Sequence, residues 1–74
     1  MSTASPVPCV VHIGETAGLV WKALVENGPL SMAKLVKAVG EQRDTVMQAL
    51  GWLAREDKIW IQEEGRSRIV SLRP

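Results

Sequence analysis

The most constraining feature of this 74-residue chain is a change of hydrophobic period between residues 30 and 62. Leu30-Ser31 leads into apolar residues at Met32, Leu35, Val36 and Val39, a helical spacing that stops at Gly40. Helical spacing resumes with Val46, Leu50 and Leu53. Beyond Asp57-Lys58 the period falls to two and β-branched residues take over, at Ile59, Ile61, Ile69 and Val70. Two short amphipathic helices across a glycine turn, running straight into a strand, leave few ways to bury one shared apolar face.

The flanking sequence completes the pattern. A first helix is predicted over residues 15–27, where Ala17, Val20, Trp21, Leu24 and Val25 fall on one face and Glu15 suits the positive N-terminal end. Asn27-Gly28-Pro29 ends it. Leu30 is then a strand fragment, and Ser31 is the natural N-cap of helix 2, which turns Lys34 and Lys37 outward. Helix 3 is expected over 42–56, with Val46, Ala49, Leu50, Leu53 and Ala54 on the apolar arc. Asp44, Thr45, Gln48, Trp52 and Arg55 occupy the opposite arc. Glu63-Glu64-Gly65-Arg66 is the turn between two strands. The expected fold is α+β, a winged helix-turn-helix: a three-helix core, a two-stranded β wing and a short first strand. Residues 1–8, small, polar and broken by two prolines, are expected to form a flexible tail, with the winged helix domain over 9–74. The run Cys9-Val10-Val11-His12-Ile13 reads as an extra strand or a hydrophobic lead-in.

Length and composition restrict the functional classes. A chain this short is near the lower limit for a self-sufficient core, and such chains often use a disulfide, a metal or oligomerisation. One cysteine, Cys9, excludes an internal disulfide, and with the single His12 it cannot make a structural zinc site. Oligomerisation is the staple that remains. Nine Lys and Arg against eight Asp and Glu give a net charge of +1, so binding to nucleic acid would require the charges to be segregated in space. No apolar run approaches a membrane span, and the start of the chain lacks the pattern of a signal peptide. A cytoplasmic location is expected.

The residues Ile13-Gly14-Glu15-Thr16-Ala17-Gly18, Trp21, Gly28-Pro29-Leu30-Ser31 and Ala49-Leu50-Gly51-Trp52-Leu53-Ala54-Arg55-Glu56-Asp57-Lys58-Ile59 carry a family resemblance. The chain resembles a group of small stand-alone prokaryotic winged helix-turn-helix proteins of unassigned function. The likeness spans about residues 13–72, and Ala-Leu-Gly-Trp-Leu-Ala-Arg-Glu is its most specific part. It implies the three-helix core and wing but carries over no catalytic or ligand residues. The segment is also similar to helix-turn-helix transcription regulators, in which the second helix of the motif enters the major groove.

On helix 3, Gln48 is an amide able to pair with adenine, Arg55 can meet guanine or phosphate, Arg43 can reach a phosphate, and Thr45 shares the exposed arc. Against these, residues 41–58 hold four acids (Glu41, Asp44, Glu56, Asp57) and three bases (Arg43, Arg55, Lys58), an unusual bias for a groove-reading helix. A solvated face with local ion pairs is the plainer reading. On the wing, Arg66 and Arg68 can hold phosphates beside the opposing Glu63 and Glu64, and Arg73 lies near the end of the chain.

The three tryptophans are the only aromatic residues other than His12. Trp21 belongs to the expected core face of helix 1. Trp52 and Trp60 fall outside the expected core, and they either form a satellite core, stack on bases or make a protein interface. Gly51, inside a helix, suggests that the wing, another subunit or a DNA backbone approaches closely there.

The residues support no catalytic assignment. His12 has no acidic partner at motif spacing, Cys9 has no cationic neighbour beyond that histidine, and no phosphate loop, metal cluster or Ser-His-Asp set is present. A non-enzymatic protein without cofactor or small-molecule ligand is expected. The leading expectation is a transcription-regulator-like protein that binds double-stranded DNA as a homodimer, through Arg43, Thr45, Gln48, Arg55, Arg66 and Arg68. The alternative is a protein-protein interaction or dimerisation module without DNA binding, using Trp52 and Trp60.

Overall fold

The structure, a computed structural model, describes residues 6–74, with side chains from Cys9 onward. In chain order the elements are α1 (Pro6–Asn27), β1 (Leu30–Ser31), α2 (Met32–Val39), α3 (Arg43–Arg55), β2 (Ile59–Glu64) and β3 (Ser67–Leu72). The sheet order is β1-β3-β2, antiparallel throughout, so the last strand sits between the first strand and the wing's other arm. This is the expected α+β winged helix.

The register sorts the hairpin into two faces, because directly paired residues share a side of the sheet. Ile59↔Leu72, Ile61↔Val70 and Glu63↔Arg68 lie on the helix-facing side, and Leu30 joins them by pairing with Val70. Trp60↔Ser71, Gln62↔Ile69 and Glu64↔Ser67 lie on the outer side. The core is built from Val20 and Leu24 of α1, Leu35 of α2, Val46, Ala49 and Leu50 of α3, and Ile59 and Val70 of the sheet. Ile61 shares that face yet stays exposed, because it lies on the edge strand β2, whereas its partner Val70 lies on the central strand and is fully buried.

Local chemistry explains where the elements end. The Ser31 side chain accepts from the Lys34 amide at 3.3 Å and caps α2. Gly40, at φ 77°, closes α2 in the left-handed region with its amide on the Val36 carbonyl. Helix α3 ends in a Schellman arrangement: the Lys58 amide donates to the Leu53 carbonyl and the Asp57 amide to that of Ala54. Asp57 takes the left-handed position usually given to glycine, at φ 59°. The hairpin turn has two residues, with Gly65 leading at φ 60°, as a type II′ turn requires. Glu63 and Glu64, expected in the turn, are therefore the last residues of β2.

The first helix departs most from the sequence reading. It begins at Pro6 instead of residue 15, so the run from Cys9 to Ile13 is helical and is neither a strand nor an irregular lead-in. Proline is well tolerated in a first turn, whose amides have no partner within the helix. Residues 6–8 of the expected tail thus belong to α1, and residues 1–5 lie outside the described residues. Trp21 and Val25, assigned to the core face, are instead 48% and 52% exposed. The buried face is set by Thr16, Ala17, Val20, Ala23 and Leu24, and Trp21 and Val25 flank it on the outside. Thr16 tolerates full burial because its hydroxyl donates to the His12 carbonyl at 2.7 Å. Ala54, placed on the apolar arc of α3, is also exposed.

Candidate nucleic-acid interface

Helix α3 lies between α1 and the sheet and presents its remaining surface to solvent. A helix advances about 100° per residue, so Asp44, Gln48, Gly51 and Arg55 form one narrow arc opposite Val46, Ala49, Leu50 and Leu53. All four of these outer residues are exposed, and the four inner ones are buried. The arc read from the sequence is thereby divided. Thr45 and Trp52 belong to the edge that turns toward α1, and Thr45 is half-buried there. Arg43 and Met47 belong to the other edge, toward the wing.

That second edge borders an open cleft of about 690 Å³ between three elements. The start of α2 contributes Ser31, Met32 and Ala33, the start of α3 contributes Arg43 and Met47, and the wing contributes Glu63 and residues 65–68. Three arginines, Arg43, Arg66 and Arg68, line one cavity although they come from distant parts of the sequence. The amides of Met32 and Ala33 open the first turn of α2 and have no carbonyl partner within the helix, an arrangement that favours anions.

The carboxylates near the cleft act unequally. Glu63 stands across the ladder from Arg68, and its Oε2 lies 3.7 Å from Arg68 Nε. Both side chains are largely exposed, so the pair is weak. Among the described residues, Arg43, Arg55 and Arg66 have no carboxylate oxygen within 4.0 Å. Arg73 is held by Asp57 at 3.2 Å on another part of the molecule. Glu41, counted against DNA from the sequence, is engaged elsewhere: its Oε1 lies 3.1 Å from His12 Nε2. His12 thus has an acidic partner that spacing along the chain did not reveal, and Glu15 adds a looser contact at 3.9 Å. Asp44 remains on the open arc, without a cationic partner within 4.0 Å among the described residues.

The chain matches the model of the winged helix-turn-helix domain family DUF2582 over residues 9–72, which include every residue that lines the cleft. It belongs to that family. It is also 38% identical over 64 residues to the uncharacterised protein MJ1608 of Methanocaldococcus jannaschii, covering 82% of this chain and 90% of that one. The family supplies the winged helix frame, and the placement of charge on it comes from the residues of this chain.

The two tryptophans named as interface candidates occupy different settings. Trp52 leans on α1, where its Cη2 lies 3.8 Å from the position that a Cβ on Gly14 would take. Trp60 alternates with buried Ile59 and stands on the outer face of the sheet, 45% exposed. At Gly51 no other element among the described residues comes within 4 Å of an added Cβ, so neither the wing nor another helix explains that glycine. The sequence reading missed the start of α2 as part of the cleft. Its only sequence signal was Ser31 as a cap, which says nothing about where the capped end points. Among the described residues no group of three or more His, Cys, Asp or Glu side chains is arranged to hold a metal ion.

Proposed function

We propose that this protein is a regulator-like, non-enzymatic DNA-binding module that engages double-stranded DNA as a homodimer. The observation that carries the reading is the cleft where Arg43, Arg66 and Arg68 converge with the open end of α2, beside the exposed arc of α3. This local gathering of positive charge offsets the near-neutral total, since phosphate contacts depend on where charges stand and not on their sum. In this reading Gln48 and Arg55 address base edges in the major groove, with Thr45 at the margin of that arc. Arg43, Arg66, Arg68 and the Met32 and Ala33 amides hold phosphates. The open space at Gly51 allows a close approach of the DNA backbone to α3. Two copies would double a small basic footprint and match a palindromic site.

The test is an amide chemical-shift titration with a random duplex at two salt concentrations. Shifts are expected on α3, the wing and the first turn of α2, and they should shrink as salt rises. An unperturbed spectrum at low salt would remove the general DNA-binding reading.

A second reading, protein-protein contact without DNA, draws support from the outer face of the sheet. There Trp60 is nearly half exposed beside Gln62, Ile69 and Ser71. It predicts shifts at Trp60 with a protein partner and none with DNA.

A further inference from the structure

Helix α1 carries a second apolar face that the fold leaves uncovered. Val11, Gly14, Gly18, Trp21 and Val25 follow a 3-4-3-4 spacing, which keeps a single seam along one side of a helix. The seam lies away from the buried Thr16, Val20, Ala23 and Leu24. Val11 and Val25 are each about half exposed, as is Trp21. Trp52 extends the seam sideways by lying against Gly14, at 44% exposure. Gly18 sits at the middle, and among the described residues no side chain comes within 4 Å of an added Cβ.

We infer that this face is where a second copy of the chain docks, with the two α1 helices antiparallel and Gly18 near the two-fold axis. The inference rests on the homodimer reading above and assigns it a surface. Self-complementarity argues for this occupant. A two-fold near Gly18 brings Val11 of one copy to Val25 of the other. It also sets Glu15 against Lys22, both exposed along one edge of the seam. Each pairing occurs twice in the dimer, as an isologous contact requires. A parallel arrangement would put the edge that carries Glu15 and Lys22 on opposite sides of the seam in the two copies, so this pairing would not form. Gly18 at the centre lets the backbones approach closely, and Trp21 and Trp52 provide aromatic anchors on both sides. A single helix pair with these flanks falls at the small end of specific interfaces.

Sedimentation velocity of the full chain from about 1 to 500 μM brackets such a dimer. Trp21→Glu and Gly18→Leu are each expected to weaken association by about thirtyfold or more, the threshold of a hot-spot residue. Gly18→Leu alters a position with open space in the monomer, so its melting curve verifies folding independently. Lys22→Glu should weaken the dimer, and the double variant Glu15→Lys with Lys22→Glu should restore it. A wild-type chain that stays monomeric throughout overturns both the face and the dimer. Association that survives Trp21→Glu and Gly18→Leu but is lost in Trp60→Ala overturns the face and leaves the dimer standing. The duplex titration reads DNA binding separately in either case.

Discussion

Trp52 of α3 lies across α1 at Gly14, with its Cη2 3.8 Å from where a Cβ would stand. That contact ties the apolar edge of the second helix of the helix-turn-helix motif to the first helix of the domain. It also separates Trp52 from Gln48 and Arg55, with which it shared an arc in the sequence. The helix therefore has two distinct edges: one faces α1 and the seam, and the other faces the arginine cleft.

Gly14→Ala should stabilise the monomer. The added methyl meets the indole at ordinary van der Waals distance, and alanine is favoured over glycine in a helix interior by up to about 1 kcal/mol. In a domain of this size that corresponds to a rise of roughly 4–8 °C in Tm. Thermal melts at low protein concentration, where association is minimal, check this, and an unchanged or lower Tm would contradict it.

Leu35→Ala should strongly destabilise the domain. Leu35 is fully buried and is the one residue of α2 buried to that degree. A leucine truncated in such a site costs about 2–5 kcal/mol. Small domains have a total stability near 5–15 kcal/mol, so the loss is a large part of the whole. Urea denaturation followed by circular dichroism measures it.

Asp57→Gly should raise stability by under about 1 kcal/mol, by relieving the left-handed backbone at the C-terminal end of α3. The variant also gives up the exposed ion pair with Arg73, which is worth little. A shift of the urea midpoint upward without a change in slope is the expected result. A downward shift would show that the ion pair outweighs the backbone cost.

Charge changes at the cleft should alter DNA binding in opposite directions. Arg66→Ala should weaken binding to any duplex and lower the slope of log K against log salt by about 1, since one phosphate contact is lost. Asp44→Asn removes a carboxylate from the open arc of α3 and should tighten binding. Fluorescence anisotropy across a salt series reads both, and an Arg66→Ala slope equal to wild type would remove Arg66 from the phosphate contacts.

Much of the fold was legible in the sequence because its signals are local. The change of period at Lys58 marked the strand, Ser31 and Gly40 marked the ends of α2, and the apolar spacing of 46–53 marked the buried side of α3. The errors arose where local signals ran short. Prolines near the start suggested a tail, although a first helical turn accepts them. Trp21 and Val25 are apolar at helical spacing, but a helix packed on one side leaves two flanks, and spacing alone does not tell which flank is covered.

The candidate site was legible only in its parts. Arg43, Arg66 and Arg68 could be named one by one, as could Glu41 and His12. Bringing three arginines to one cleft, and Glu41 to His12 instead of to the exposed arc of α3, depends on how the helices and the wing pack together. By itself the sequence determined the elements and the inward faces of α2 and α3, because hydrogen-bonded periodicity and capping act over a few residues. The tertiary structure decided which charges are neighbours and which aromatic faces stay open. Coulomb interaction and burial depend on distance in space, and the packed core sets that distance.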